Sequence, residues 1–288
     1  MQKIKALIFF SMLLVSCISL ADLNTGLVAY YSFDDCTAND SSSKKYNGTI
    51  NGNTLCVDGA KNKGLFFDGI DSYIDINVPL DGMANWSICS WVNIAKIDSS
   101  YTDWQAFFTA VDNSSNETTE LGFPTDSKAL SIYPLLTAKA NTAVVGKNTL
   151  MCFTKSSNNL LIFKDGVKIA SGTGSTNFSI LKTIGMWQPW SSDPFNKEPF
   201  NGIIDEVRAY KRTLSASEIQ SLYYQVNPPI IQGTAPWVTQ HIVVCENITQ
   251  NTSITLPSTN ASTWDCEKSG LAINHGDEVI VTIKGKKY

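Results

Sequence analysis

Short runs in which apolar and polar positions alternate, each closed by a turn signal, make up most of the chain. "GLVAYYSF" alternates and stops at Asp34-Asp35; "GLFFDGIDSYIDI" carries two strands around Asp68-Gly69; "WSICSWVNI" and "LMCFTKSS" are further strands. "NLLIFKDGVKIAS" predicts a tight hairpin, because Asp165-Gly166 accepts the positive φ angles of a two-residue turn. Trp86 and Trp91, within a strand pattern, read as core residues. This pattern over roughly two hundred residues predicts an all-β protein built of two packed antiparallel sheets.

"FNGIIDEVRAYKRTLSASEIQSLY", Phe200 to Tyr223, reads as a strand, a turn and the one good helix. Ser215 and Glu218 form a capping box, with Ile219 and Leu222 as the apolar face. Strict alternation puts Ile203, Asp205, Val207 and Ala209 on one face of the strand and Ile204, Glu206, Arg208 and Tyr210 on the other. Asp205 then stands in an apolar row, where an unpaired charge is costly.

Paired prolines in "VNPPI" mark a linker. The organisation expected is an export signal over 1–21, a main β-domain over 22–226, a linker over 227–232 and a small β-module over 233–288. "TQHIVVCENIT", "TSITLP" and "EVIVTIKG" supply that module's strands. At its size a disulfide is a fitting staple.

Composition adds the compartment. Lys3 and Lys5 precede an apolar stretch, Ala6 to Val15, too short to span a bilayer. "SLA" ending at Ala21 fits simple cleavage and secretion; "LVSC" resembles a lipobox that would place a lipid on Cys17. Six further cysteines in an exported chain suggest disulfides. Cys245 pairs with Cys266, alone together near the C-terminus, and Cys36 with Cys56 across a polar loop. Cys89 and Cys152 fall in strands and fit a bridge or two buried thiols. Asn-x-Ser/Thr triplets at Asn113, Asn116 and Asn247 are glycan acceptors in a eukaryotic secretory pathway and polar surface in a bacterium. A net charge of −4 with no basic stripe gives no reason to expect nucleic acid.

Four segments in order, "GLVAYYSFDD" with "NDSSSKKYNGTI", "GLFFDGIDSYIDI", "WSICSWVNI" and "FNGIIDEVRAYKRTLSASEIQSLY", resemble a laminin-G-like, concanavalin A-type jelly roll of exported bacterial proteins. The likeness runs from about Leu23 to Val226. It implies a structural calcium near where the first and last strands meet, held by Asp40 and Asp205 with Asn47 and Asp34. The chain departs from the family at Ser43, Lys44 and Lys45, where a glycine usually follows the serines.

The fold hosts binders, scaffolds and enzymes, so function rests on the site. "MWQPWSSDPFNKEP" offers Trp187, Trp190 and Phe195, whose flat faces suit stacking on sugar rings, with Asp193, Asn196 and Lys197 for hydroxyls. "SSYTDWQAFF" adds Tyr101 and Trp104 from another expected loop. Enzyme signatures are missing: no E-x-D-x-x-E run occurs, and Glu117 and Glu120 come nearest. Both histidines, His241 and His275, fall in the small module, away from any nucleophile motif. The expectation is therefore an exported, non-catalytic, lectin-like glycan binder. The alternative is an adhesive module for a protein partner.

Overall fold

The computed structural model describes residues 23–80, 84–97, 103–111, 118–175, 179–187, 197–227, 232–234, 239–256, 263–266, 271–272 and 279–286. The export signal with Cys17, together with Tyr101, Asn113, Asn116, Glu117, Trp190, Asp193, Phe195, Asn196 and His275, lies outside them. Two units are distinguished, Leu23–Pro228 and Pro229–Tyr288.

The first unit opens with β1 (Leu27–Tyr31), β2 (Thr49–Asn51), β3 (Leu55–Asp58), β4 (Lys63–Asp68) and β5 (Tyr73–Pro79). There follow β6 (Asn85–Ile94), β7 (Trp104–Val111), β8 (Thr118–Pro124), β9 (Ser131–Tyr133) and β10 (Leu136–Thr137). The unit closes with β11 (Thr149–Ser156), β12 (Asn159–Lys164), β13 (Val167–Thr173), β14 (Ile180–Ile184), β15 (Asn201–Tyr210) and helix α1 (Ala216–Tyr224).

These strands form a sandwich of two antiparallel sheets. One has eight strands, in the order β13-β12-β11-β6-β15-β4-β3 with β1 also on β15; the other has seven, β10-β9-β8-β7-β14-β5-β2. Alternation explains the core. Trp86, Ile88, Val92 and Ile94 of β6 point inward and meet Ile74, Ile76 and Val78 of β5, Phe107 and Phe108 of β7, and Leu121 and Phe123 of β8. Each such side chain contributes roughly 1.5–3 kcal/mol on burial. The strands flanking Asp68-Gly69 belong to different sheets, so this turn is a crossing rather than a hairpin. The Asp68 carboxylate holds it by accepting from the N–H groups of Ile70, Asp71 and Ser72.

The predicted hairpin is present: β12 pairs with β13 across Asp165 (φ 50°) and Gly166 (φ 79°). Helix α1 covers the outer face of the eight-stranded sheet, with Ile219 and Leu222 against Trp91, Leu150 and Phe163. Its capping box is formed, the Ser215 hydroxyl accepting from the Glu218 N–H and the Glu218 carboxylate from the Ser215 N–H. Beneath it Cys89 and Cys152, directly opposed on β6 and β11, are disulfide-bonded. Cys36–Cys56 and Cys245–Cys266 are bonded as expected. Three disulfides are the mark of a chain that matures in an oxidising, extracytoplasmic compartment. No described helix is long and apolar enough to cross a membrane.

Alternation through β15 is broken, which corrects the expected faces. Glu206 adopts φ 53° and forms a bulge, the register on β6 jumping between Asp205 and Arg208. Ile204 points into the core before the bulge; Val207 and Ala209 do so after it. The extra residue shifts the phase. Asp205 therefore lies opposite the core, not in line with Val207 and Ala209.

In the second unit, β17 (Thr239–Asn247), which contains His241, pairs with β18 (Thr252–Thr255) and β20 (Val279–Lys286); β16 (Gln232–Thr234) pairs with β19 (Thr263–Asp265). Val243, Leu256 and Leu271 pack around the Cys245–Cys266 bridge. Asn247 is 1% exposed and its amide donates to the Ala272 carbonyl, so this triplet is neither glycan acceptor nor surface.

Candidate functional site

The four residues expected to hold calcium serve separate hydrogen-bond networks. Asp40 is buried. Its Oδ1 accepts from the N–H groups of Tyr30 and Ser42, both at 2.8 Å. Its Oδ2 accepts from the Ser42 hydroxyl at 2.9 Å and the Tyr46 N–H at 2.7 Å. A carboxylate has about four acceptor positions, and here all are used. Asn47 completes the loop by accepting from the Asp40 N–H at 2.9 Å. Asp40 and Asn47 thus organise the Ala38–Gly48 loop and do not fit a metal cage.

Asp205 and Asp34 grip a different segment, the turn between β3 and β4. Asp205 accepts from the Lys61 N–H at 2.9 Å, Asp34 from the Lys63 N–H and the Asn62 amide at 3.3 Å each. Burial, aided by the neighbouring Glu206 charge, pushes Asp205 up to about 7 against the pull of the backbone N–H donors. Gly59 lets the turn approach, because a Cβ there would collide with the Asp205 carboxylate. Glu206, read from the sequence as a face residue, is instead a buried hub. It accepts from the Tyr30 hydroxyl and from Arg208, both at 2.7 Å, and Arg208 lies 4.1 Å over the Tyr30 ring. Among the described residues, no three His, Cys, Asp or Glu side chains form a group suited to a metal ion.

The chemistry of interest collects on the outer face of the seven-stranded sheet. Register aligns one row of outward positions across six strands: Thr49, Asp75, Thr183, Thr109, Glu120 and Tyr133. The segment after β14 lies over the middle of this row, the Met186 carbonyl accepting from the hydroxyls of Thr183 (2.5 Å) and Thr109 (3.2 Å). Trp187 follows, half-buried, with its indole N–H buried and unpartnered. On the β5 side, Lys182 is bound to Asp75 and Asn77 at 2.9 Å each.

The other side is acidic and aromatic. Trp104 is the first residue of β7 rather than a loop residue, and it is 8% exposed. It lies over Gly122, where a Cβ would stand 2.8 Å from the indole nitrogen. Tyr133, half exposed, packs its edge on Trp104 with centroids 5.2 Å apart. Glu198 closes the site: its carbonyl accepts from the Ala106 N–H at 3.2 Å, its φ is 44°, and its carboxyl is hydrogen-bonded to that of Glu120. Two carboxyls make such a bond only when they share a proton. Burial, the bond to Glu120 and the charges of Glu120 and Asp103 push Glu198 up to about 10; burial also raises Glu120. The other Glu198 oxygen is buried without a partner.

The sequence marks Trp104 and Trp187 as binding residues and Glu120 only as a loop carboxylate short of a glucanase pair, whereas Glu120 lies in β8; the sequence marks neither Tyr133 nor Glu198. No signal in "NKEPF" ties Glu198 to a strand some eighty residues earlier. The polar residues expected beside Trp187, Asp193 and Asn196, fall outside the described residues, as does Trp190.

The comparisons agree with this architecture. Domain 4 of AbnA, an extracellular arabinanase from Geobacillus stearothermophilus solved in complex with arabinotriose, superposes with TM-score 0.53 at 23% identity, over 68% of this chain and 98% of that domain. Trypanosoma rangeli sialidase, in complex with the inhibitor DANA, gives 0.53 at 15% identity over 68% of this chain; the chain spans about a third (32%) of the sialidase. The binding domain of botulinum neurotoxin DC, in complex with SialylT, gives 0.51 at 12% identity, over 77% of this chain and 57% of that one. At these identities the likeness is one of fold, a fold shared by glycosidases and carbohydrate-binding domains. No curated protein sequence matches significantly. The sequence model of the concanavalin A-like lectin/glucanases superfamily, of laminin-G type, matches residues 68–220, more than half of the chain, and the chain belongs to that superfamily.

Proposed function

We propose that the jelly roll is an exported, non-catalytic glycan-binding module whose site lies on the outer face of the seven-stranded sheet, at Trp104, Tyr133, Trp187 and the Glu120–Glu198 pair. The observation that carries this reading is the pair itself. A glycosidase holds its two carboxyls about 5–10 Å apart, with the scissile bond between them. Glu120 and Glu198 touch, leaving no room for a sugar between them, so they serve as hydrogen-bonding groups at the edge of an aromatic surface. The arabinotriose and SialylT complexes of the structural neighbours support the same class of ligand.

A glycan array probed with the purified chain tests this. Binding to a defined sugar, lost in Trp104→Ala and Trp187→Ala variants that still fold, is expected; hydrolysis of the sugar would overturn the non-catalytic part.

A structural calcium belongs to the same proposal only at Asp34 and Asp205, which retain acceptor positions on the β3–β4 turn. A calcium-loaded sample is expected to melt at lower temperature after chelation. An unchanged Tm removes the ion.

A further inference from the structure

The sandwich holds two disulfides in opposite surroundings. Cys36 and Cys56 are both exposed, and their bond ties the loop after β1 to the edge strand β3. Cys89 (1% exposed) and Cys152 (0%) join the central neighbours β6 and β11 on the outer face of the eight-stranded sheet. That bond shares one buried cluster with Trp91, Leu214, Ile219 and Leu222, so its cover is α1 and the turn leading into it.

The helix can come away by itself. It has nine residues, too few to persist in water as an isolated helix, and it takes no part in either sheet. A small set of contacts holds it down. The Ser87 hydroxyl accepts from the Leu214 N–H at 2.8 Å and donates to the Arg212 carbonyl at 3.0 Å. Tyr223 stacks on Trp91 with centroids 5.7 Å apart. Lifting α1 breaks these contacts while the strands keep their ladder partners. Such a local opening takes less free energy than unfolding the sandwich.

We propose that α1 is a gate over the Cys89–Cys152 bond: external thiols exchange with Cys36–Cys56 in the folded chain, and reach Cys89–Cys152 only when the helix lifts. The chemistry is the same at both. A reductant thiolate attacks one sulfur, and the other leaves as a thiolate that takes up a proton. The second thiol of a dithiol then displaces the first cysteine, so the reductant ends as a cyclic disulfide and the protein with two thiols. What separates the two bonds is access.

The test incubates the oxidised full chain with dithiothreitol, traps the thiols formed with iodoacetamide and locates them by peptide mass mapping over time. Cys36 and Cys56 are expected to label at least about a hundredfold faster than Cys89 and Cys152. Where reclosing outpaces attack, the slow rate follows the population of the lifted helix. Ser215→Ala, which removes the helix cap, is therefore expected to speed labelling of Cys89 and Cys152 about fivefold and to leave Cys36 and Cys56 unchanged. Ile76→Val, a comparable loss of stability on the seven-stranded sheet's side of the core, is expected to change neither rate. Equal labelling of all four cysteines would show that α1 is no barrier. No acceleration by Ser215→Ala, or an equal one by Ile76→Val, would assign exposure of the bond to unfolding of the whole sandwich. Resistance of Cys36–Cys56 until the sandwich melts would remove its exchange in the folded chain. Each of these results overturns the proposal.

Discussion

Asp205 leaves the apolar row in which alternation places it and Glu206 becomes a buried hydrogen-bond hub, and the cause is one backbone angle. A glutamate at φ 53° breaks the rule that such positions go to glycine or asparagine, so nothing in "IIDEVRAY" announces the bulge. Asp40 is the opposite case: "NDSSSKKYNG" reads as a turn-rich loop, and its carboxylate does bind the loop's own amides. Asp40→Asn puts an amide group where two donors point, and is expected to cost about 2–4 kcal/mol, read as a lower Tm or denaturant midpoint. The Glu120–Glu198 pair yields a pH effect with a definite sign. Its folded affinity for a proton exceeds the unfolded one, so the stabilisation is complete below the ordinary value of 4.5 and is lost as pH rises toward about 10. Between these limits stability is expected to fall by on the order of 1 kcal/mol per pH unit at most, and Glu198→Gln to flatten that slope. A variant with an unchanged slope would show that no proton is shared. Glu120 reads as part of a polar loop although it lies in β8, and Glu198 is not legible as a site residue at all, since only the long return of its segment to β7 gives it a partner.

Local chemistry writes the elements clearly. The capping box and the Asp165-Gly166 hairpin were legible because both depend on residues within a few positions of one another. Ser215→Ala is expected to destabilise by about 1 kcal/mol, with a thermal melt as the measure; the residual Arg212–Glu218 ion pair at 2.7 Å will not replace the lost backbone acceptor. Partners between elements are a different matter. The Asp68-Gly69 turn looks like any short turn, yet it carries the chain from one sheet to the other. Cys89 and Cys152 stay ambiguous in sequence because their bond depends on β6 lying beside β11 in one register, with Cys89 directly opposite Cys152. Trp104 reads as a loop residue because its polar lead-in hides that β7 has already begun.

The chain divides into a unit with a large two-sheet core and another whose core, among the described residues, is five buried side chains, two of them the Cys245–Cys266 bridge. Small units depend on such staples. Reduction is therefore expected to unfold residues 239–286 while the sandwich keeps its hydrogen-exchange protection; simultaneous loss in both would overturn this. The row of outward positions from Thr49 to Tyr133 also has a length. Strands lie about 4.8 Å apart, so Asp75 and Glu120, three strands from each other, are separated by roughly 14 Å. The Met186 segment bridges the interval and uses the two threonines between them. One sugar ring is too short for that span. If the face takes glycan as proposed, a monosaccharide would occupy one end alone, whereas an oligomer of three or more units would reach both. On the proposed glycan-binding reading the sheet works as a ruler, and affinity is expected to climb in a step, rather than smoothly, as the glycan chain is lengthened.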